Sequence, residues 1–145
     1  MSILKYLKEN LTRLVVTFDF DHTLRYEYSD DIDRDERQFQ WGEPNIDSVN
    51  MFRKLQDDND VYIVTTRVES PQSRNQIQEF CKEQVLRPKD IIFTNGNDKL
   101  DTLVKLGSNW HFEDDDKEIN QIKAAGIKVA DMFNQQAWDK YLGLI

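Results

Sequence analysis

The sequence predicts an α/β protein: a Rossmann-like, mostly parallel sheet of about five strands with helices on both faces, in three layers. Three observations carry this expectation. Short apolar runs recur from about Leu14 to Phe20, then at Val61 to Val64, Ile91 to Phe93, Trp110 to Phe112 and Ile127 to Ala130. Segments with apolar residues at helical spacing separate them, and strands that alternate with helices form βα units and parallel sheets. The runs are also nearly continuous in apolar character, as expected of strands covered on both faces.

Taken in order, the chain opens with Ile3, Leu4, Leu7 and Leu11 at helical spacing, interrupted by Lys5, Lys8 and Glu9. That is the pattern of an amphipathic packing helix rather than of a signal peptide, which needs an unbroken apolar stretch. After the first strand, Arg25 to Trp41 reads as a polar flap. Its Asp31, Asp33 and Asp35 imitate the start of a calcium loop. Glu36 and Gly42, however, stand where such a loop needs glycine and glutamate, so the match fails. Pro44 and Asn45 open a helix carrying Ile46, Val49, Phe52 and Leu55, which ends in the polar turn 57–60. The second strand follows and runs into Thr65-Thr66-Arg67. Ser70 and Pro71 then supply an N-cap and a first-turn proline for a helix with Ile77 and Phe80 facing inward.

Beyond the third strand, a helix from about Leu100 to Leu106 stops at Gly107, a residue suited to a helix C-terminus. The fourth strand ends in Glu113-Asp114-Asp115-Asp116. A helix with Ile119 and Ile122 stops at Gly126, the fifth strand follows, and Gln135 to Leu142 reads as a closing helix. At 145 residues this is a single domain, 1–145, with the 25–41 flap as an insertion.

Composition narrows the function. With 27 acidic against 19 basic residues the net charge is −8, which disfavours an extended grip on nucleic acid. Cys81 is the single cysteine, so no intrachain disulfide forms; it reads as a small buried side chain, and a cytoplasmic location is expected. No apolar run approaches the roughly 18 residues that span a membrane.

The chemistry concentrates at strand ends. A mostly apolar strand has no use for unpaired carboxylates, yet Asp19 and Asp21 follow the first strand directly, with Thr23 two residues on. Open α/β sheets bind ligands beyond the carboxyl ends of their strands. In extended chain, residues i and i+2 point the same way, so both aspartates are expected to converge on one cation or one reacting group. Thr65 ends the second strand. Lys99 and Lys105 both precede the acidic end of the fourth strand; Lys99 follows a turn near the strand ends and is favoured, whereas Lys105 is expected to face solvent. Asp116 and Glu118 suit the positive end of a helix dipole. His22 and His111 read as structural.

In order and context, Asp19-x-Asp21-x-Thr23, Thr65, Lys99 and Glu113-Asp114-Asp115 resemble the haloacid dehalogenase-like superfamily in its phosphatase branch, across about Leu14 to Asp131. The resemblance implies a Mg²⁺-dependent phosphomonoester hydrolase. Asp19 would be the nucleophile that forms an aspartyl-phosphate, and Asp21 the general acid and base. Thr65 would bind phosphoryl oxygens and Lys99 would neutralise their charge, with Thr23, Thr66 and Arg67 at the substrate. Mg²⁺ would be held by the Asp19 carboxylate, the Asp21 carbonyl and the Asp114 carboxylate, with Glu113 or Asp115 acting through water or holding the ligands in place.

The gaps between motifs leave no room for a folded cap, so an open or minimally capped site is expected. It would be covered by the flap or a partner subunit. Such a site suits a phosphorylated substrate that is a nucleotide, a nucleic-acid end or a phosphoprotein. Tyr26, Tyr28, Phe39 and Trp41 would stack on a base or anchor the flap. The rival readings are a catalytically weak binding or regulatory module, a protein phosphatase, and phosphoryl transfer to an acceptor other than water.

Overall fold

The computed structural model describes residues 13–26 and 42–131. The expected N-terminal helix, almost all of the flap with Tyr28, Phe39 and Trp41, and the closing helix lie outside the described residues. Within them, strands β1 (Val15–Phe18), β2 (Asp60–Thr65), β3 (Ile91–Phe93), β4 (Trp110–Glu113) and β5 (Lys128–Asp131) form one sheet. Helices α1 (Ile46–Leu55), α2 (Pro71–Gln84), α3 (Leu100–Leu106) and α4 (Asp116–Ala124) alternate with them. All strands are parallel in the order β3-β2-β1-β4-β5. The expected α/β architecture is therefore present.

Alternation along each strand divides the core in two. Val16, Phe18, Val61, Ile63, Ile91 and Phe112 pack with Val49, Phe52, Ile77 and Phe80 from α1 and α2. Phe18 and Phe112, in register on neighbouring strands, stack at 4.2 Å. On the other face Val64 and Val129 meet Leu103, Ile119 and Ile122 from α3 and α4. That face is not apolar throughout. Thr17 on β1 pairs in register with His111 on β4, and both are fully buried. The two central strands thus carry aromatics on one face and a polar strip on the other.

Helix ends follow the local chemistry. The Ser70 side chain accepts the backbone N–H of Ser73, with Pro71 in the first turn of α2. Gly107 closes α3 with φ 71°, a left-handed conformation that glycine adopts without steric cost. α2 ends instead on Val85 at φ 60°, where no glycine signals the stop.

Strand order places the site. From β1 the chain builds outward through β2 to β3, then crosses back so that β4 lies on the other side of β1. The reversal point in such a sheet leaves a crevice at the carboxyl ends of the flanking strands. The acidic segments that follow β1 and end β4 meet there.

Candidate functional site

The backbone amide of Asp19 donates to the carbonyl of Phe112 at 2.9 Å, which ties the residue after β1 to β4. The chain then turns sharply. The Phe20 carbonyl accepts the amides of Thr23, Leu24 and Arg25, while Phe20 and Leu24 are buried as the turn's anchors. His22 sits at φ 64°, a conformation that costs a non-glycine residue energy and is tolerated where surrounding contacts enforce it.

This turn corrects the sequence expectation for the paired aspartates. β1 ends at Phe18, so the i, i+2 rule for extended chain no longer holds at Asp21. The carboxylates that come within 4.8 Å of one another belong to Asp19, Glu113 and Asp114. The Asp21 carboxylate is gripped at both oxygens by Arg67, whose Nε and second terminal nitrogen lie 2.8 and 2.7 Å away. Arg67 also donates to Gln76 at 2.9 Å. Its guanidinium is therefore spent on Asp21 and Gln76 rather than held out for a second anionic group.

Lys99 is nearly buried and bridges two acids, with Nζ 2.9 Å from Asp19 Oδ1 and 2.6 Å from Glu113 Oε1. Lys105 is exposed on α3. Thr23 Oγ1 lies 3.1 Å from Asp19 Oδ2 and 3.3 Å from Asp114 Oδ1, so one hydroxyl spans the two carboxylates. Thr65 is buried at the end of β2, where its hydroxyl accepts the Arg67 amide at 3.3 Å. Thr66 is exposed beside it, its carbonyl taken by the Gly96 amide.

The acidic run after β4 divides by role. Glu113 Oε1 accepts from Lys99 and His111, and Oε2 accepts the amides of Asp114 and Asp115 at 3.2 and 3.3 Å. Its acceptor capacity is filled by protein donors. Asp114 stands at the cluster with Asp19. Asp115 caps α4, accepting the Glu118 amide at 3.1 Å, so its side chain serves the helix. Glu118 does more than suit a helix dipole. Buried, it accepts the backbone amide of Lys99 at 3.3 Å from each oxygen and so fixes the root of the lysine.

Electrostatics follow from burial. Desolvation pushes the Asp19 carboxyl well above its usual range, and the charge of Glu113 adds to this while Lys99 opposes it. Burial raises Asp114 as well. Burial works against the charged form of Glu113 too, but the hydrogen bond from His111 and the Lys99 ammonium overcome it and hold the group below the carboxylate range. Lys99 is raised, since its two carboxylates outweigh its desolvation. Desolvation lowers His111, which favours the neutral ring. Three carboxylates and one ammonium leave the ionised cluster two charges negative, with oxygen donors only. That donor set and that charge fit a hard divalent cation such as Mg²⁺. Asp19 and Asp114 are the carboxylates able to hold one, because Glu113 is committed to Lys99 and His111.

Sequence reasoning did not register Thr17, Ser108 or the grip of Glu118. A threonine in register with a histidine on two central strands was the available signal for the first. For Glu118, nothing in the chain pointed to the amide of a residue 19 positions away.

No protein-family profile matches the chain. It is 28% identical over 120 residues to an uncharacterized protein of Acanthamoeba polyphaga mimivirus, a match that covers 74% of this chain and 23% of the viral protein. The chain thus spans about a quarter of the length of the relative it matches.

Proposed function

We propose that the chain is a Mg²⁺-dependent phosphomonoester hydrolase of the haloacid dehalogenase-like type, acting through an aspartyl-phosphate on Asp19. The observation that carries this reading is Lys99 bridging Asp19 and Glu113 beside Asp114, at the point where the sheet reverses its strand order. Asp19, Asp114 and the Asp21 carbonyl would hold the ion, with Glu113 anchoring Lys99 beside them. When bound, the ion would offset repulsion between carboxylate and phosphate dianion and polarise the phosphoryl group.

The chain's own residues account for the rest. Asp19 attacks phosphorus in line, and the leaving oxygen departs as its bond to phosphorus breaks, taking a proton from Asp21. Asp21 then draws a proton from water, which attacks the acyl-phosphate and frees phosphate and Asp19. Lys99 and the Thr65 hydroxyl offset charge on the phosphoryl oxygens. Thr23 keeps Asp19 and Asp114 at fixed separation. Asp19 is buried against Lys99, whereas Asp21 is partly exposed and held by Arg67. A nucleotide, a nucleic-acid end or a phosphoprotein is the substrate class proposed, and a cytoplasmic setting fits a chain with one buried thiol. Among the described residues no helix is long and apolar enough to cross a membrane.

The test is hydrolysis of p-nitrophenyl phosphate with and without Mg²⁺. Wild-type turnover should depend on the ion, stop with EDTA, and fall to background in Asp19→Asn with the circular dichroism unchanged. Turnover by Asp19→Asn at the wild-type rate refutes the assignment.

A further inference from the structure

Behind the lysine lies a buried polar chain that the proposed reaction does not use. His111 Nε2 is 2.9 Å from Glu113 Oε1, and His111 Nδ1 is 2.7 Å from Thr17 Oγ1. Thr17 Oγ1 in turn lies 2.9 Å from Ser108 Oγ, which also lies 3.0 Å from the Trp110 carbonyl, so with the Thr17 proton on His111 the single Ser108 proton serves Thr17 or Trp110. His111 and Glu113 are fully buried and Ser108 nearly so.

The donors can be ordered. Glu113 is ionised beside Lys99 and accepts, so His111 must carry its proton on Nε2. Nδ1 of the neutral ring is then an acceptor, and Thr17 is the donor that faces it. A second partner on Nδ1 fixes which nitrogen bears the proton and how the ring is turned. Glu113 Oε1 is thereby held from two directions, by a histidine rooted in the sheet and by Lys99, while two backbone amides hold Oε2. The same oxygen that meets His111 meets Lys99. The lysine's place against Asp19 therefore depends on an imidazole that touches neither Asp19 nor the space where a phosphoryl group would sit.

We propose that His111 is a positioning residue of the site, which through Glu113 sets Lys99 against Asp19, with Thr17 fixing the ring. The inference rests on the reading of Asp19 and Lys99 as catalytic. A histidine that merely filled the core could be replaced by an apolar side chain at a cost in stability alone. A positioning histidine cannot, because Glu113 would lose one of its side-chain donors and Lys99 would gain freedom.

The experiment compares His111→Leu, His111→Gln and Thr17→Val in the full chain. His111→Leu should lower kcat for p-nitrophenyl phosphate about 10–100-fold, as removal of partners behind active-site ligands does, with KM within about twofold. His111→Gln keeps an N–H toward Glu113 and should recover most of that loss. Thr17→Val, a milder change kept in case His111→Leu does not fold, should lose about threefold or more in kcat at the same KM. A readout that needs no turnover is the ¹⁵N NMR signal of the Lys99 ammonium. It should be protected from solvent exchange in the wild type and in His111→Gln, and lost in His111→Leu. Folded His111→Leu with wild-type kcat, or Thr17→Val with wild-type kcat, overturns the proposal. A wild type that hydrolyses nothing overturns the catalytic reading instead, and the NMR comparison then decides whether His111 sets the lysine's place.

Discussion

Lys99→Met keeps much of the buried stem and removes its charge, and the structure sets how much that should cost. The ammonium makes two short contacts to carboxylates, at 2.9 and 2.6 Å, in a setting where all three groups are buried. Removing one partner of a buried ion pair costs about 3–5 kcal/mol, because the charge left behind has no compensation. At this chain length a kcal/mol moves the melting temperature by about 2–4 °C, so a fall of roughly 10 °C is expected at neutral pH without divalent ions. The pH dependence gives the sign. Asp19 is already raised by burial, and Lys99 is the partner that pulls it down. In the variant Asp19, already raised by burial and no longer opposed by Lys99, gains a proton more readily when folded than when unfolded, so stability falls as pH rises above the ordinary carboxylate range. The deficit against wild type should therefore be larger at pH 8 than at pH 5. Mg²⁺ should raise the variant's stability more than the wild type's, since the cluster it meets has lost its one ammonium. Urea denaturation followed by tryptophan fluorescence at both pH values, with and without Mg²⁺, measures all of this. Equal deficits at pH 5 and pH 8, or a variant within about 1 kcal/mol of wild type at pH 8, would refute the argument from a buried, charged bridge.

Two further outcomes concern the scaffold. Val85 ends α2 in the left-handed region and is 62% exposed, so Val85→Gly removes strain and little packing. A left-handed β-branched residue costs about 1–2 kcal/mol, glycine's greater freedom when unfolded returns about 0.5–1, and a net gain of about 0.5–1 kcal/mol should appear as a higher melting temperature. Cys81 is buried on α2 and desolvation pushes its thiol up to about 12. At pH 8 only about one thiol in ten thousand would be ionised, so iodoacetamide should label native protein far more slowly than unfolded protein, as mass spectrometry would register.

The sheet was legible because each strand announced itself by a short apolar run and each crossover by helical spacing. Ile91–Phe93 and Leu100–Leu106 coincide with the observed elements because their boundaries are chemical: a glycine stops the helix, and a polar turn follows the strand. The end of α2 carried no such mark, since Val85 adopts by tertiary constraint what a glycine would adopt by preference. At the site, the sequence pointed to Asp19, Lys99 and Asp114, which the structure brings together, but it placed Asp21 beside them by treating the chain beyond β1 as still extended. A turn that begins at Phe20 redirected Asp21 toward Arg67, and only the hydrogen bonds of the Phe20 carbonyl reveal it. Nor could a linear reading separate three consecutive acids. Glu113 binds a lysine, Asp114 joins Asp19, and Asp115 caps a helix, because each peptide step turns the side chain toward a different neighbour.

The polar strip also explains why the two faces of a small sheet are built so differently. The face toward α1 and α2 stacks Phe18 on Phe112 and supplies the larger apolar core. The face toward α3 and α4 gives up the same two strands to Thr17, His111 and Glu113. Buried groups of this kind are tolerated when each has its partner and are costly when one is missing. Here the strip runs from Ser108 through Thr17, His111 and Glu113 to Lys99 with a partner at every step. An apolar strip would stabilise the sheet as well or better, as replacement of buried ion pairs by well-packed side chains often does. What an apolar strip could not do is hold a charged lysine, out of water, against a single carboxylate at the reversal point of the sheet. The polar strip thus leads to the candidate site at the carboxyl ends of β1 and β4, where Lys99 meets Asp19.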